Sequence, residues 1–325
     1  MIMLKSNSKL PIPNLKLPKA IMLIGPTASG KTDLAIAVAK KFHGEVISLD
    51  SRQMYRGLDI GAAIPVGVWR RVGRRRAYFV NGVPHHLMRF RSPARPLAAA
   101  EVKDLALRVA AEVVRRGRLP IFCGGTGLYA DMIAKNFVSP RVPPNAALRR
   151  RLEKLSTAKL FAKLRRLDPV YASRIAAGNR RHAIRALEVI TATGQPFSTQ
   201  QQVGEPLYKF LWLGVKCERS ELYGRINRRF DAMMAAGLLR EVRLLGRRYG
   251  WKNPVLSSLG HRQLGEYLRG ERSGLAEATE ACKSQTRAYA RRQLTWFRRN
   301  SEIRWVRTVG EAALVVKAWN DKCRM

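Results

Sequence analysis

The sequence predicts an α/β fold in which a parallel sheet is wrapped on both faces by helices. Three observations carry this. The short apolar run "AIMLIG" leads into a glycine loop, "GPTASGKT", which in turn opens the helically spaced "KTDLAIAVAKKF". Further apolar runs, "GEVISLD", "RLPIFCGG" and "YKFLWLGVKCE", alternate with helical stretches, the pattern of parallel strands joined by crossover helices. Between the last two of these runs lies a long Arg-rich segment with helical spacing and few strand signals. Together they describe a P-loop NTPase-like sheet with an all-helical insertion domain.

Taken in chain order, residues 1–19 read as a basic lead-in without the continuous apolar core of a secretory signal. Residues 20–140 form the first part of the α/β core, with "PLAAAEVKDLALRVAAEVVRRG" as its helix before the third strand. Within it, "VGVWRRVGRRRAYFVNGV" is expected to be a basic surface loop, with Asn81-Gly82 as a hairpin-turn signal. Residues 141–206 are the helical insertion. Residues 207–325 complete the core, with "SELYGRINRRFDAMMAAGLLREVRLLGRRYG" helical and "LAEATEACKSQTRAYARRQLTWFRRN" a single long helix.

Charge dominates the composition: 61 Lys and Arg against 23 Asp and Glu, a net of +38. Self-repulsion makes such an excess a liability for the fold itself, whereas contact with a polyanion gains from counterion release. No apolar run is long enough to cross a bilayer, so no membrane partner is expected. The four cysteines, Cys123, Cys217, Cys282 and Cys323, lie far apart with no C-x-x-C pair. That argues against a zinc module or a disulfide framework and suits a reducing cytosol.

The chemistry concentrates in three loops expected at the carboxyl ends of strands, where ligands of open α/β sheets bind. In Gly25-x-x-x-x-Gly30-Lys31-Thr32, backbone N–H groups converge on anionic oxygens at a helix N-terminus. Lys31 adds charge there, and the Thr32 hydroxyl can face Mg²⁺. Asp50 follows the next strand, where either a metal-binding or a substrate-facing carboxylate would sit. Thr126 of "CGGTGLY" lies at the third strand end. Arg225 and Arg229, four apart on one helix, share a face suited to a diphosphate, or form a solvated basic face. Arg287, Arg291 and Arg298 make a stripe on the last long helix beside Trp296 and Phe297. The adjacent His85 and His86 point to opposite faces of a strand, which suits packing better than joint metal ligation.

The segments "GPTASGKT", "SLDSRQMYRGLDIG", "VPHHL", "GRLPIFCGGTGLY", "RALEV", "TGQPFS", "GLLREV" and "RRQLTWF" appear in an order that resembles the tRNA dimethylallyltransferases over about residues 20–300. The resemblance implies transfer of a five-carbon prenyl group from dimethylallyl diphosphate to the exocyclic amine of the adenosine 3′ of the anticodon. The phosphate loop would then hold the donor's diphosphate through Gly25, Thr27, Ala28, Ser29, Gly30, Lys31 and Thr32, with Arg225 and Arg229, and Mg²⁺ on Thr32. It implies Asp50 as general base, with Lys31 and Thr126 in the catalytic channel. Contacts to the tRNA anticodon stem-loop are expected from Asp50, Ser51, Arg52, Gln53 and Thr126, from Arg181, His182 and Arg185 of the insertion, and from the Arg287/Arg291/Arg298 stripe. A cytoplasmic monomer is expected.

Departures from the family pattern are local. Ala62-Ala63-Ile64-Pro65 stands where Thr-Ala-Lys-Pro is usual, His182 replaces a common arginine, Gly178-Asn179 an Asn-Asp pair, and His261 a tyrosine; the 66–83 region is longer. Three other readings stay open at this level: an adenylate isopentenyltransferase acting on free AMP, a P-loop small-molecule kinase, and a catalytically inactive RNA-binding relative.

Overall fold

The computed structural model describes residues 17–321 apart from 139 and 141. Cys323 and most of the N-terminal lead-in lie outside the described residues. The first half of the chain forms β1 (Lys19–Ile24), α1 (Lys31–Lys41), β2 (Gly44–Ser48), β3 (Val68–Val72), β4 (Arg75–Val80), β5 (Val83–His86), α2 (Ala99–Arg115), β6 (Leu119–Gly124), α3 (Gly127–Ala134) and β7 (Phe137–Val138). The insertion contributes α4 (Ala146–Glu153), α5 (Thr157–Leu167), α6 (Pro169–Arg174), α7 (Arg180–Thr193) and α8 (Phe197–Gln200), followed by β8 (Gln202–Val203). The chain ends with β9 (Lys209–Val215), α9 (Arg219–Ala235), α10 (Leu238–Tyr249), α11 (His261–Leu268), α12 (Leu275–Phe297), β10 (Arg304–Val306) and α13 (Val309–Asp321).

The main sheet has the order β10-β9-β1-β6-β2-β5-β4-β3. Strand β1 lies at its centre, parallel to β6 on one side and β9 on the other, with Ile21 opposite both Ile121 and Leu211. Alternation divides its side chains between two cores. Ile21 and Leu23 pack with Leu34, Ala35 and Val38 of α1 on one face. Ala20, Met22 and Ile24 pack with Ala106, Val109 and Val113 of α2 and Phe297 of α12 on the other. A strand buried on both faces reads as a continuous apolar run, as "AIMLI" does.

The region expected to be a basic surface loop is instead the outer part of the sheet. β3, β4 and β5 form an antiparallel meander, with β5 parallel to β2. Asn81 and Gly82 adopt φ of 48° and 83°, the left-handed pair that a two-residue hairpin turn requires. The loop reading missed this because the strand shows no period-two alternation: Arg75 and Arg76 are both exposed, and the next two residues, Ala77 and Tyr78, are both buried. His85 and His86 are both buried in β5. His86 Nε2 sits 2.6 Å from Glu45 Oε2, and Arg116 bonds the same carboxylate at 2.7 Å, so His86 is structural. The long stretch after β9 divides at Gly237, whose φ of 98° separates α9 from α10.

Helices α4–α8 enclose their own apolar cluster, which includes Leu152, Leu160, Leu164, Ala183 and Leu187. The two-stranded ribbon of β7 and β8 stands where the chain leaves and re-enters the core. Side-chain caps from Asn145, Ser156, Asp168 and Asn179 start four of these helices. Glu188, 1% exposed, ties α7 to α4: it accepts from Arg149 at 2.7 and 2.8 Å, from Arg185 at 2.6 Å and from the Asn145 amide at 2.6 Å. Burial alone would raise its pKa, but these donors outweigh it and hold the carboxyl at about 2.

A carboxyl with a depressed pKa stabilises the fold above its unfolded value and loses that contribution as pH falls through the folded one. Acid titration of the full chain is therefore expected to loosen the insertion between about pH 4.5 and 2, read as loss of the α4–α7 amide protection. Glu188→Gln should lower its stability by on the order of 2 kcal/mol at neutral pH and flatten that acid transition.

Candidate active site

The chain leaves β1 at Ile24 and turns through Ala28 and Gly30, both left-handed, with φ of 62° and 86°. Such a turn aims successive amides into one concavity. Helix α1 then starts with no side-chain cap at Gly30. The first-turn amides of Lys31, Thr32 and Asp33 find no acceptor among the described residues, which is the donor array that binds anions. The buried Ser29 hydroxyl also lacks a partner there. An orphaned buried donor beside uncapped amides fits an oxygen-rich ligand.

This cradle opens into a cavity of about 390 Å³ lined by Ala28, Ser29, Gly30, Lys31, Thr32 and Asp33, with Arg225, Arg228 and Arg229 of α9 facing them. Both expected arginines are therefore present, and Arg228 joins them. Arg225 bonds Glu221 at 2.6 Å and remains part-exposed. Lys31 Nζ rests 2.5 Å from the Pro26 carbonyl. Burial pushes its ammonium down to about 8, against the opposing pull of Cys123 and Asp50.

A second cavity of about 450 Å³ adjoins the first and shares Ala28 and Arg229 with it. Asp50, Ser51 and Arg52 line it, as do Gly61, Ala62, Arg262, Tyr289 and Arg292. Asp50 follows β2, and its Oδ1 accepts from the amides of Arg52 at 2.8 Å and Gln53 at 3.3 Å. That local turn fixes the carboxylate while leaving its second oxygen free of any hydrogen bond among the described residues. Burial lowers the pKa of Arg229, and the charge of Asp50 opposes that shift. Asp50 thus lines the larger cavity within electrostatic reach of both Lys31 and Arg229, the latter shared by the two cavities.

Thr126 is the N-cap residue of α3 and hydrogen-bonds Tyr289, whose hydroxyl burial pushes its pKa upward. Thr126 therefore reaches the larger cavity through Tyr289 rather than lining it. Gln53 does not line it either. Its amide is spent inside the fold, on Ser48 at 3.1 Å and the Ala62 carbonyl at 3.3 Å.

The remaining expected residues divide in the same way. Arg181 and His182 are exposed on α7, whereas Arg185 turns inward to Glu188 and to the Val142 carbonyl at 3.0 Å. On α12, Arg287 is held by Asn227 and Glu280, both at 2.8 Å, and Arg291 by the Tyr223 hydroxyl at 3.0 Å. Arg298, just past the helix end, is exposed. Phe297 is core, while Trp296 is surface-exposed and donates to Asp131.

Sequence reasoning passed over Gln293 of α12. Its Oε1 accepts from the Thr27 amide at 2.9 Å and its Nε2 donates to the Gly125 carbonyl at 2.8 Å. One buried amide thereby joins the phosphate loop to the loop that carries Thr126. The only signal was its place inside "RRQLTWF". His261 is also structural: it bonds Ser258 at 3.1 Å and Glu241 at 3.2 Å, and Glu241 in turn holds the amides of Ile60 and Gly61. Ala62 leaves no hydroxyl in the cavity wall, and Ile64 packs against the apolar core.

Gln293→Leu keeps the volume of the side chain but leaves the Thr27 amide and the Gly125 carbonyl without partners. It should cost about 2–4 kcal/mol in a denaturant titration. Turnover should fall more than tenfold as the two loops lose their common support.

The IPP transferase family model matches residues 53–300, and an isopentenyl transferase model matches residues 18–85. A curated tRNA dimethylallyltransferase of Roseiflexus sp. (strain RS-1) is 42% identical over 311 residues, covering 93% of this chain and 98% of that protein. The crystal structure of the full-length tRNA isopentenylpyrophosphate transferase of Bacillus halodurans superposes with a TM-score of 0.63 at 36% identity, covering 89% of each chain. A eukaryotic dimethylallyltransferase captured acting on tRNA superposes with a TM-score of 0.69 at 26% identity, covering 86% of this chain and 70% of that one. A phosphate cradle on β1, a carboxylate after β2 and a latch from α12 therefore stand in a chain that belongs to the IPP transferase family.

Proposed function

We propose that this protein is a tRNA dimethylallyltransferase that moves the dimethylallyl group of dimethylallyl diphosphate to N6 of the adenosine 3′ of the anticodon. The observation that carries this is the junction of two cavities at Ala28 and Arg229, with a phosphate cradle on one side and the Asp50 carboxylate on the other. A donor whose diphosphate fills the smaller cavity directs its allylic carbon towards that junction. An adenine turned out of the anticodon loop enters the larger cavity, at an unstacking cost of a few kcal/mol that is least in a loop.

In the transfer, the N6 lone pair forms a bond to C1 of the prenyl group as the C1–O bond breaks. Diphosphate leaves with the bonding electrons, and Asp50 takes the amine proton. The loop amides, Lys31, Arg225, Arg228 and Arg229 hold the charge that develops on the leaving group. Thr32 is the residue that would hold Mg²⁺, since this ion takes few protein oxygens and completes its shell from phosphates and water. Thr32 lines the smaller cavity, and its hydroxyl has no hydrogen-bond partner among the described residues. When bound, the ion would add positive charge to the leaving diphosphate.

The net charge of +38 favours an RNA acceptor over free AMP, and the exposed Arg181, His182 and Arg298 are suited to its backbone. No described helix is long and apolar enough to cross a membrane. A cytoplasmic monomer acting on the anticodon stem-loop is part of the same reading.

Asp50→Asn preserves the shape of the carboxylate but cannot take a proton. It should lower kcat by at least about a hundredfold with tRNA affinity within a few fold of the parent. Near-normal turnover would remove Asp50 from the role of base. The pKa of Lys31 near 8 predicts that kcat/KM for the donor falls as pH rises through about 8, because the ammonium loses its charge. Lys31→Met should abolish that limb and weaken competition by inorganic pyrophosphate; an unchanged limb would assign it to another group.

A further inference from the structure

The β3–β4 hairpin carries charge that, Arg75 apart, neither the fold nor the cavities use. Between Ile60 and Ala100 the chain has eight arginines and no acidic residue, and five of the arginines fall within residues 70–76. Arg70, Arg71, Arg74, Arg75 and Arg76 are all exposed. Among the described residues only Arg75 has an acidic partner, Glu112 at 2.7 Å. Arg71 and Arg76 are directly opposite in the antiparallel register, so like charges face each other across the ladder. Such a pair destabilises a sheet, and among the described residues neither arginine has a carboxylate partner to offset the repulsion.

Two of the arginines are also held in place. The Arg76 guanidinium lies over the Trp69 ring at 5.8 Å, and Trp69 packs edge-on against Tyr78 with centroids 5.6 Å apart. On the other face, Arg70 lies over Phe79 at 5.7 Å. Stacking presents the guanidinium forks with less rotamer freedom left to lose on binding. Strand β3 is the outer edge of the sheet, and among the described residues these arginines stay exposed.

We propose that the β3–β4 hairpin is a second RNA-binding surface, one that grips the phosphate backbone of the tRNA substrate through Arg70, Arg71, Arg74 and Arg76. This rests on the tRNA reading above and extends it to a surface separate from the cavities. The repelling cross-strand pair is what phosphates would relieve: two guanidiniums on one face flank a site whose missing component is negative charge. Each phosphate neutralised releases counterions, which makes the contribution readable in salt dependence.

The test compares the full-length protein with Arg71→Gln/Arg76→Gln in binding of unmodified tRNA across a salt series, with prenyl transfer measured alongside. The double variant should lower the log–log salt slope by about two and weaken tRNA binding roughly tenfold near physiological salt. The KM for tRNA should rise while kcat and the KM for the donor stay as in the parent. Arg71→Lys/Arg76→Lys should restore most of the slope, because charge is kept. An unchanged slope in a parent protein that prenylates tRNA would overturn the second surface and leave the enzymatic reading standing. A parent that neither binds nor prenylates tRNA would overturn that reading first. If the Gln variant self-associates and its tRNA slope is unchanged, the arginines guard a free sheet edge, and the proposal fails.

Discussion

The site depends on one buried amide. Gln293 reaches from α12 to the Thr27 amide of the phosphate loop and to the carbonyl of Gly125 beside Thr126. The two loops are consecutive in space, because β1 and β6 are neighbours in the sheet, but they are about a hundred residues apart in the chain. A parallel sheet aligns their strands and leaves the loops beyond its edge unsupported. The α12 helix lies over that edge, with Phe297 buried in the core and Gln293 spending both ends of its amide on loop backbone. Each bond is worth only about 1 kcal/mol net. Their weight comes from what the loss would strand: two buried backbone groups at the point where donor and acceptor must meet.

From that latch the chemistry follows by placement. The left-handed turn at Ala28 and Gly30 creates the anion cradle, and α9 closes it with Arg225, Arg228 and Arg229. Asp50 is held in the wall of the larger cavity by its own local turn, so it needs no support from the insertion. The insertion has a separate core around Leu160, Leu164 and Leu187, braced by Glu188. Of the departures from the family pattern, His182 lies on that insertion, whereas Ala62 lines the same cavity as Asp50, Ile64 packs against the apolar core and His261 holds Glu241.

The parts of this site legible in the sequence were those set by local spacing. The loop from Gly25 to Thr32, the carboxylate after the second strand and the Arg225/Arg229 pair one helical turn apart each depend on neighbours within a few residues. Residues whose polar atoms the folded chain itself consumes were not legible, whether the partner is near or far in the sequence. Gln53 has the chemistry of an adenine reader, yet Ser48 and Ala62 consume its amide. Arg185 lies in a basic helix, but Glu188 turns it inward. Gln293, between residues of a long helix, gave no periodic signal because its partners lie 168 and 266 positions away. The meander of β3 to β5 was hidden for another reason: its arginines fall in adjacent pairs, Arg70-Arg71 and Arg75-Arg76, and the buried Ala77 and Tyr78 are adjacent too, so no period-two alternation shows.

Stoichiometric transfer to defined acceptors tests the enzymatic reading most directly. The protein is incubated with labelled dimethylallyl diphosphate and an unmodified anticodon stem-loop, AMP, or no acceptor, and both label and released diphosphate are counted. One label should enter the RNA for each diphosphate released, at the adenosine 3′ of the anticodon, with no more than background in AMP. Labelling of AMP in place of RNA, or phosphate transfer from ATP with the prenyl donor untouched, would contradict it.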